Sequence, residues 1–488
     1  MVDTSLLQKI QHSFIGQHTH YPLVDGSSGP RHYFDSAAST LMMRPAFDVA
    51  QNFLEHYSST HSELHFSARG ANRAFDWAHQ RVLDFVAADA DIYSAYFAGS
   101  GATAGFNRIA SELAALRPDR DIIIASEMEH HSNDLPHRAH GAKVIHLPLM
   151  GEAANCGGID IEVARETIEK YGDRINYLAI TAASNVTGAI TPIHELAQLA
   201  HSVGAYIVVD ASQMIAHAPI SMQSAAVIDT GIDVLVFSGH KIYAPGSPGV
   251  VIARSSLLNQ TTPSELGGGM VEDVFLQHFT PSALLPDRKE AGTPNIIGAI
   301  TLAAALDILM RIGMQTIRDK EIGLINLAWT KLMAIEGVNL YGPDPSQVPR
   351  TGTIAFNIKG LDHGLTAAAL NDYHNIQVRN GCFCAHPYVR EMVKRELWAM
   401  NIDPDAPNIE AEVERKRGMA RASLGIYTTE ADVLALCEAV EDLVSRHQEI
   451  LEQYSPEGKS GYCHRSFKPD EDSLFNPSKV LETVLKSL

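Results

Sequence analysis

Seven short apolar runs, at residues 94–98, 122–125, 144–147, 177–181, 206–210, 234–237 and 250–253, recur with helical stretches between most of them. Several end in polar or glycine-rich turns, so they read as strands of one sheet buried on both faces. A sheet covered on both faces by crossover helices is mostly parallel, and its ligands sit at the carboxyl ends of its strands. The expected fold class is therefore α/β, with a mostly parallel seven-stranded sheet. At 488 residues the chain is long for one core, which points to more than one domain. After an apolar helix at 296–312 the pattern changes. Strands are read at 353–358 and 419–424, and an amphipathic helix at 430–451, fitting a smaller α+β domain. The expected division is an N-terminal segment, 1–34, packed on the small domain; a large ligand-binding domain, 35–300; the small domain, 301–453; and a C-terminal extension, 454–488, packed loosely or ordered by a partner.

Composition narrows the function classes. Lys and Arg number 38 against 57 Asp and Glu, a formal charge of −19, which disfavours nucleic acid as a partner. Small anionic ligands stay open, since local dipoles capture them. No apolar run reaches the length of a membrane span, and Gln8, Lys9, Gln11 and His12 interrupt the N-terminal apolar residues, so no signal-peptide core is read. Cytoplasmic residence without membrane association is the expectation. Five cysteines spread over the chain are no disulfide framework. Only Cys382 and Cys384 lie close together, in Gly381-Cys382-Phe383-Cys384-Ala385-His386-Pro387. As zinc ligands they would need two more from Cys156, Cys437, Cys463 or scattered histidines, so no metal is expected.

The chemistry starts at Phe237-Ser238-Gly239-His240-Lys241. A lysine just past a buried strand is placed where its amine can be desolvated and form a Schiff base with an aldehyde. Earlier, Val208-Val209-Asp210-Ala211-Ser212-Gln213 ends a strand in a carboxylate, and a pyridoxal 5'-phosphate (PLP) site needs one to keep the ring nitrogen protonated. Strand-Asp followed by strand-Lys is the layout of the PLP-dependent transferases of fold type I. Gly99-Ser100-Gly101-Ala102-Thr103-Ala104-Gly105 presents backbone amides and a hydroxyl at a helix start, a phosphate cradle or simply a strand-to-helix turn. In Glu129-His130-His131-Ser132-Asn133 a histidine could stack on a pyridine ring or relay protons, or be merely solvated. Asn185, in Ser184-Asn185-Val186-Thr187-Gly188, is either a ligand to the ring hydroxyl or substrate carboxylate, or a turn former.

Together with Tyr33-Phe34-Asp35-Ser36-Ala37-Ala38-Ser39, Glu290-Ala291-Gly292-Thr293-Pro294-Asn295, Arg379-Asn380-Gly381-Cys382-Phe383-Cys384 and Arg421-Ala422-Ser423-Leu424, these segments carry a resemblance. The chain resembles the class V aminotransferase superfamily of PLP enzymes, and within it the cysteine desulfurases of the SufS and NifS kind, over most of its length and in the family's order. The resemblance implies the Schiff-base lysine at Lys241, the pyridine-nitrogen partner at Asp210, the stacking histidine at His130 and the ring-oxygen partner at Gln213. It implies phosphate contacts from Ala102, Thr103, Ser238 and His240. Thr293 corresponds to a phosphate contact supplied from a second subunit, hence a homodimer. Arg421 corresponds to the arginine that pairs with the substrate carboxylate, with Asn185 and Arg379 in the same pocket, and Cys384 to the cysteine that receives sulfur. L-cysteine, or alternatively selenocysteine, would be the substrate, alanine the product, and a protein the sulfur acceptor.

The sequence also departs from that pattern. The Gly-Cys-Phe-Cys loop resembles the one in molybdenum cofactor sulfurases. The stretch between Cys384 and Arg421, with its charged segment 410–417, is longer than in common bacterial desulfurases, and is expected to cover the active-site mouth or dock an acceptor. Ser62 stands where an arginine is usual, and Ala104 where group II desulfurases tend to have glutamate. A cofactor sulfurase, another class V reaction (cysteine lyase, transaminase or epimerase) and a non-catalytic subunit of the same fold are the alternative readings.

Overall fold

A computed structural model describes residues 4–60, 62–140, 143–223, 231–400, 402, 411–459 and 461–488. Its centre is a seven-stranded sheet. The strands lie in the order Tyr93–Ala98, Gly249–Arg254, Val234–Ser238, Tyr206–Asp210, Ile175–Thr181, Ile122–Ser126, Lys143–Leu147. All seven expected strands are present. Neighbours are parallel except around Gly249–Arg254, which runs antiparallel to both of its partners. Strands Ile175–Thr181 and Val234–Ser238 are buried along their whole length, as a sheet covered on both faces requires. Helix Gly101–Leu116 lies directly on the sheet because Gly105 has no side chain; a Cβ there would come within 2.8 Å of both Val236 and Val251.

Helix Ile296–Ile312 is buried nearly all round, which explains its continuous apolar sequence. It bends by 79° into helix Met314–Met333. Among the described residues, no single helix is long and apolar enough to cross a membrane.

A second, antiparallel sheet follows in the order Val338–Tyr341, Thr353–Ile358, Met419–Ser423, Arg379–Gly381. Its two inner strands are the ones the sequence reading identified. The outer two escaped it: each is short, and Arg379-Asn380-Gly381 has no apolar residue at all. Residues of this sheet and of helices Met314–Met333, His363–His374 and Glu430–Ser445 form their own apolar cluster, which includes Phe356, Leu365, Ala422 and Leu436. The expected single helix at 430–451 is two helices, Glu430–Ser445 and His447–Gln453. The first opens with a reciprocal cap: Thr429 Oγ1 accepts from the Asp432 amide and Asp432 Oδ2 accepts from the Thr429 amide.

The termini divide their contacts. Leu7, Ile10 and Phe14 join the core of the large sheet, whereas strand His32–Tyr33 pairs with Ile376–Gln377 and the Asn375 side chain donates to the Gly29 carbonyl. At the other end, the hairpin Tyr454–Glu457 and Gly461–His464 is docked, with Tyr454 donating to Asp372 at 2.9 Å and His464 buried. Helix Pro477–Lys486 is exposed throughout. Position 410 of the segment 410–417 lies outside the described residues, as does position 61 beside Ser62; 411–414 form one helical turn, Ala411–Glu414.

Candidate active site

Two neighbouring parallel strands end side by side. Tyr206–Asp210 delivers Asp210 at its last position, and Val234–Ser238 leads through the turn Gly239–Lys241 to Lys241. Above these carboxyl ends opens a cavity of about 560 Å³. Of the residues assigned roles from sequence, Ala102, Thr103, His130, Asn185, Asp210, Gln213, Ser238, His240, Lys241, Arg379, Cys384 and Arg421 all line it. Thr293 does not; it is exposed on the loop leading into helix Ile296–Ile312. Ser62 and Ala104, the two substituted positions, do not line it either.

One end of the cavity suits an anion. Helix Gly101–Leu116 points its N-terminus there, and Gly99, Ser100, Gly101, Ala102 and Thr103 form the wall. Gly101 has φ +60°, and a Cβ on it would sit 2.8 Å from Ser238 Oγ, so only glycine keeps this wall open. Ser238 Oγ accepts from the Ala102 amide at 2.8 Å, and the Thr103 and Ser132 hydroxyls are 2.7 Å apart. His240 Nδ1 lies 3.3 Å from Ser39 Oγ, while burial, then nearby Lys241, holds its imidazole down at about 4.

The floor carries the titratable pair. Burial raises Asp210 above the ordinary carboxylate range, opposed by hydrogen bonds from Ser212, whose amide donates to Oδ1 at 2.9 Å. Burial likewise lowers Lys241 to about 8; Asp210 pulls the other way, favouring the ammonium. His130, lowered to about 3 mainly by burial and then by Lys241, is a neutral ring whose Nδ1 accepts from the Ser132 amide. Its segment is anchored by buried Glu129, which accepts from Ser126, Asn133 and the Thr181 amide. Gln213 donates through Nε2 to the Ala37 carbonyl at 2.8 Å.

The opposite wall comes from the second sheet. Arg379 and Arg421 are cross-strand partners in its register, which places both on one face. Arg421 is 2% exposed; its Nη1 donates to the Asn185 carbonyl at 2.8 Å and its Nη2 meets Asp35 Oδ1 at 3.4 Å. Arg379 reaches the same carboxylate at 3.7 Å. Between the two sheets the Gly381–Cys384 loop is tied down: Asn185 Nδ2 donates to the Phe383 carbonyl at 2.6 Å and the His131 amide donates to the Cys384 carbonyl at 2.8 Å. Cys384 is exposed at the cavity. Cys382 points elsewhere, donating its thiol to the Arg417 carbonyl at 3.0 Å, and burial pushes it up to about 12.

Asn185 Oδ1 and Arg421 Nε line or border this cavity, each buried without a hydrogen-bond partner among the described residues. Each orphan costs roughly 1–3 kcal/mol unless a ligand satisfies it. A compound with a phosphate, an aldehyde near the amine, a ring nitrogen near Asp210 and an adjoining amino-acid carboxylate fits that donor set. Asp35, Ser132, Ser212 and Phe383 were not assigned roles from sequence, although all four lie inside the quoted motifs. Asp35 meets its arginines from more than 340 positions away, a contact that only folding creates.

A family model described as aminotransferase class-V matches residues 32–436. A cysteine desulfurase of Pectobacterium atrosepticum is 32% identical over 411 residues, covering 83% of this chain and 91% of the relative. One from Yersinia pseudotuberculosis is 32% identical over 410 residues, with the same coverages. Among solved structures, the apo cysteine desulfurase of Thermococcus onnurineus superimposes with a TM-score of 0.73 at 29% identity, covering 85% of this chain and 94% of that one. The Escherichia coli cysteine desulfurase CsdA (S-sulfonic acid) gives 0.71 at 28% identity, covering 91% and 98%.

Proposed function

The chain belongs to the class V aminotransferase family, and from that premise we propose that it is a PLP-dependent cysteine desulfurase, converting L-cysteine to L-alanine and taking the sulfur onto Cys384. The observation that carries the reading is the meeting of Asp210, Lys241, Arg421 and Cys384, from four separate chain segments, in one cavity. The named relatives favour this reading over a molybdenum cofactor sulfurase.

Bound PLP supplies an aldehyde and an electron-withdrawing ring. Ala102 and Thr103 at the helix N-terminus, with Ser238 and His240, would hold its phosphate, Asp210 its ring nitrogen, Gln213 its ring oxygen, and His130 would offer a neutral ring face. Arg421, with Arg379 and Asn185 beside it, would bind the substrate carboxylate through its planar fork. Lys241, its affinity for a proton reduced by burial, moves the proton between the substrate α-position and product. Cys384 as thiolate attacks the substrate sulfur: an S–S bond forms as the C–S bond breaks, leaving a persulfide on the chain and alanine after proton uptake by carbon.

The proposal extends to a cytoplasmic homodimer in which Thr293 reaches the neighbouring subunit's phosphate site, and to transfer of the sulfur to an acceptor protein. Supporting the dimer, the hairpin Val271–Val274 and Phe279–Pro281, close in sequence to Thr293, exposes Val274, Phe275, Leu276 and Phe279. Domain boundaries near 300 and 453 complete the reading, supported by the separate apolar cluster of the second sheet. Incubation with L-cysteine, measuring alanine and enzyme-bound persulfide together, tests it. Alanine with persulfide is expected; pyruvate, ammonia and free sulfide would show a lyase instead.

A further inference from the structure

Arg421 is held in its own plane by the Asn185 carbonyl and the Asp35 carboxylate, but hydrogen bonds at the edge of a guanidinium do little to stop it tilting. The contact on its face is the ring of Phe383, whose centroid lies 4.6 Å from Cζ. Phe383 is itself held in an uncommon backbone conformation. Its φ is +52° and that of Cys384 is +55°, two successive side-chain-bearing residues in the left-handed region. Such a conformation persists only where the surroundings impose it, and here both carbonyls are anchored, one by Asn185 Nδ2 and the next by the His131 amide. Asn185 therefore serves both partners: its carbonyl takes the Arg421 guanidinium and its amide takes the Phe383 backbone. Meanwhile Arg421 Nε is buried without a partner among the described residues, the donor a carboxylate would find.

We infer that Phe383 is a positioning residue for substrate binding: its ring fixes the tilt of the Arg421 guanidinium, and so presents that arginine to the carboxylate of an amino-acid substrate. The inference rests on the desulfurase reading and on Arg421 as the carboxylate partner. It assigns a role to the side chain between the two cysteines, independent of sulfur capture by Cys384.

Two variants and two ligands test it in the PLP-loaded enzyme. Phe383→Leu keeps apolar bulk but removes the π face, so KM for L-cysteine should rise about tenfold with kcat changing far less. Phe383→Tyr keeps the face and should restore a KM close to that of the unmodified enzyme. Cysteamine, which lacks the carboxylate, should bind the unmodified enzyme and Phe383→Leu equally well, read from the cofactor's visible absorbance. An unchanged KM in Phe383→Leu, no rescue by tyrosine, or an equal penalty for cysteamine would overturn the inference. If the unmodified enzyme forms no alanine from L-cysteine, the desulfurase reading fails instead, an outcome distinct from any of these.

Discussion

Replacing Arg421 probes the site where a buried charge does the most. Its guanidinium is 2% exposed, two of its nitrogens are engaged by Asn185 and Asp35, and the third is a donor at the cavity with no partner among the described residues. A hydrogen bond to a charged group is worth about 1.5–3 kcal/mol, so removing it should lower kcat/KM for L-cysteine by roughly 10- to 150-fold. Arg421→Ala should reach the upper end, because it also leaves the Asp35 carboxylate facing the substrate with Arg379, at 3.7 Å, and Lys241 to offset it. Arg421→Lys should fall near the lower end: the charge stays close to Asp35, but one ammonium cannot reproduce a planar fork. The loss should appear chiefly in KM, since the interaction is made with bound substrate rather than only in the transition state. Initial rates of alanine formation over a cysteine series provide the numbers, with cofactor absorbance and thermal unfolding confirming that each variant is loaded and folded. A folded, PLP-loaded Arg421→Ala within about threefold of the unmodified enzyme would refute the carboxylate assignment.

Three further outcomes follow from the geometry. Cys384→Ser should stay loaded with PLP but lose persulfide, whereas Cys382→Ser should keep much of its activity, because the Cys382 thiol is bonded to the Arg417 carbonyl and held protonated up to about 12; mass spectrometry finding substrate sulfur on Cys382 would reverse the assignment. Burial lowers Lys241 to about 8, so its neutral, nucleophilic fraction grows as pH rises through that value. Reloading of PLP-stripped enzyme should therefore accelerate from about pH 7 and level off above about pH 9, and Lys241→Ala should neither reload covalently nor turn over; a rate independent of pH across that range would contradict the lowered amine. Gly101→Ala forces a side chain into φ +60° and within 2.8 Å of Ser238 Oγ, so PLP retention in a dialysis titration should weaken by about tenfold or more, and unchanged retention would count against the phosphate cradle.

Much of this protein was legible in the chain itself. The seven strands and the order of Asp210 and Lys241 at their ends follow from local pattern: short apolar runs closed by polar turns can bury their side chains only in a covered sheet. The helix at 296–312 was read correctly because a continuous apolar surface has to be buried all round. Cys384 and Arg421 were assigned through the family resemblance of their segments, and both line the cavity. Local pattern fails where the physics is not local. Arg379-Asn380-Gly381 carries no strand signal, yet pairing with Met419–Ser423 makes it one and sets Arg379 beside Arg421. Asp35 lies inside a recognised motif, but its role depends on two arginines from the far end of the chain. Cys382 and Cys384 differ little in sequence context; the left-handed turn at Phe383 and Cys384 separates them, sending one thiol to Arg417 and leaving the other at the cavity. Periodicity determines which residues must be buried, because burial is settled by each segment's own apolar surface. Which charged groups meet, and which of two like residues faces the cavity, is decided by backbone conformation and long-range packing, and no short window of sequence contains those.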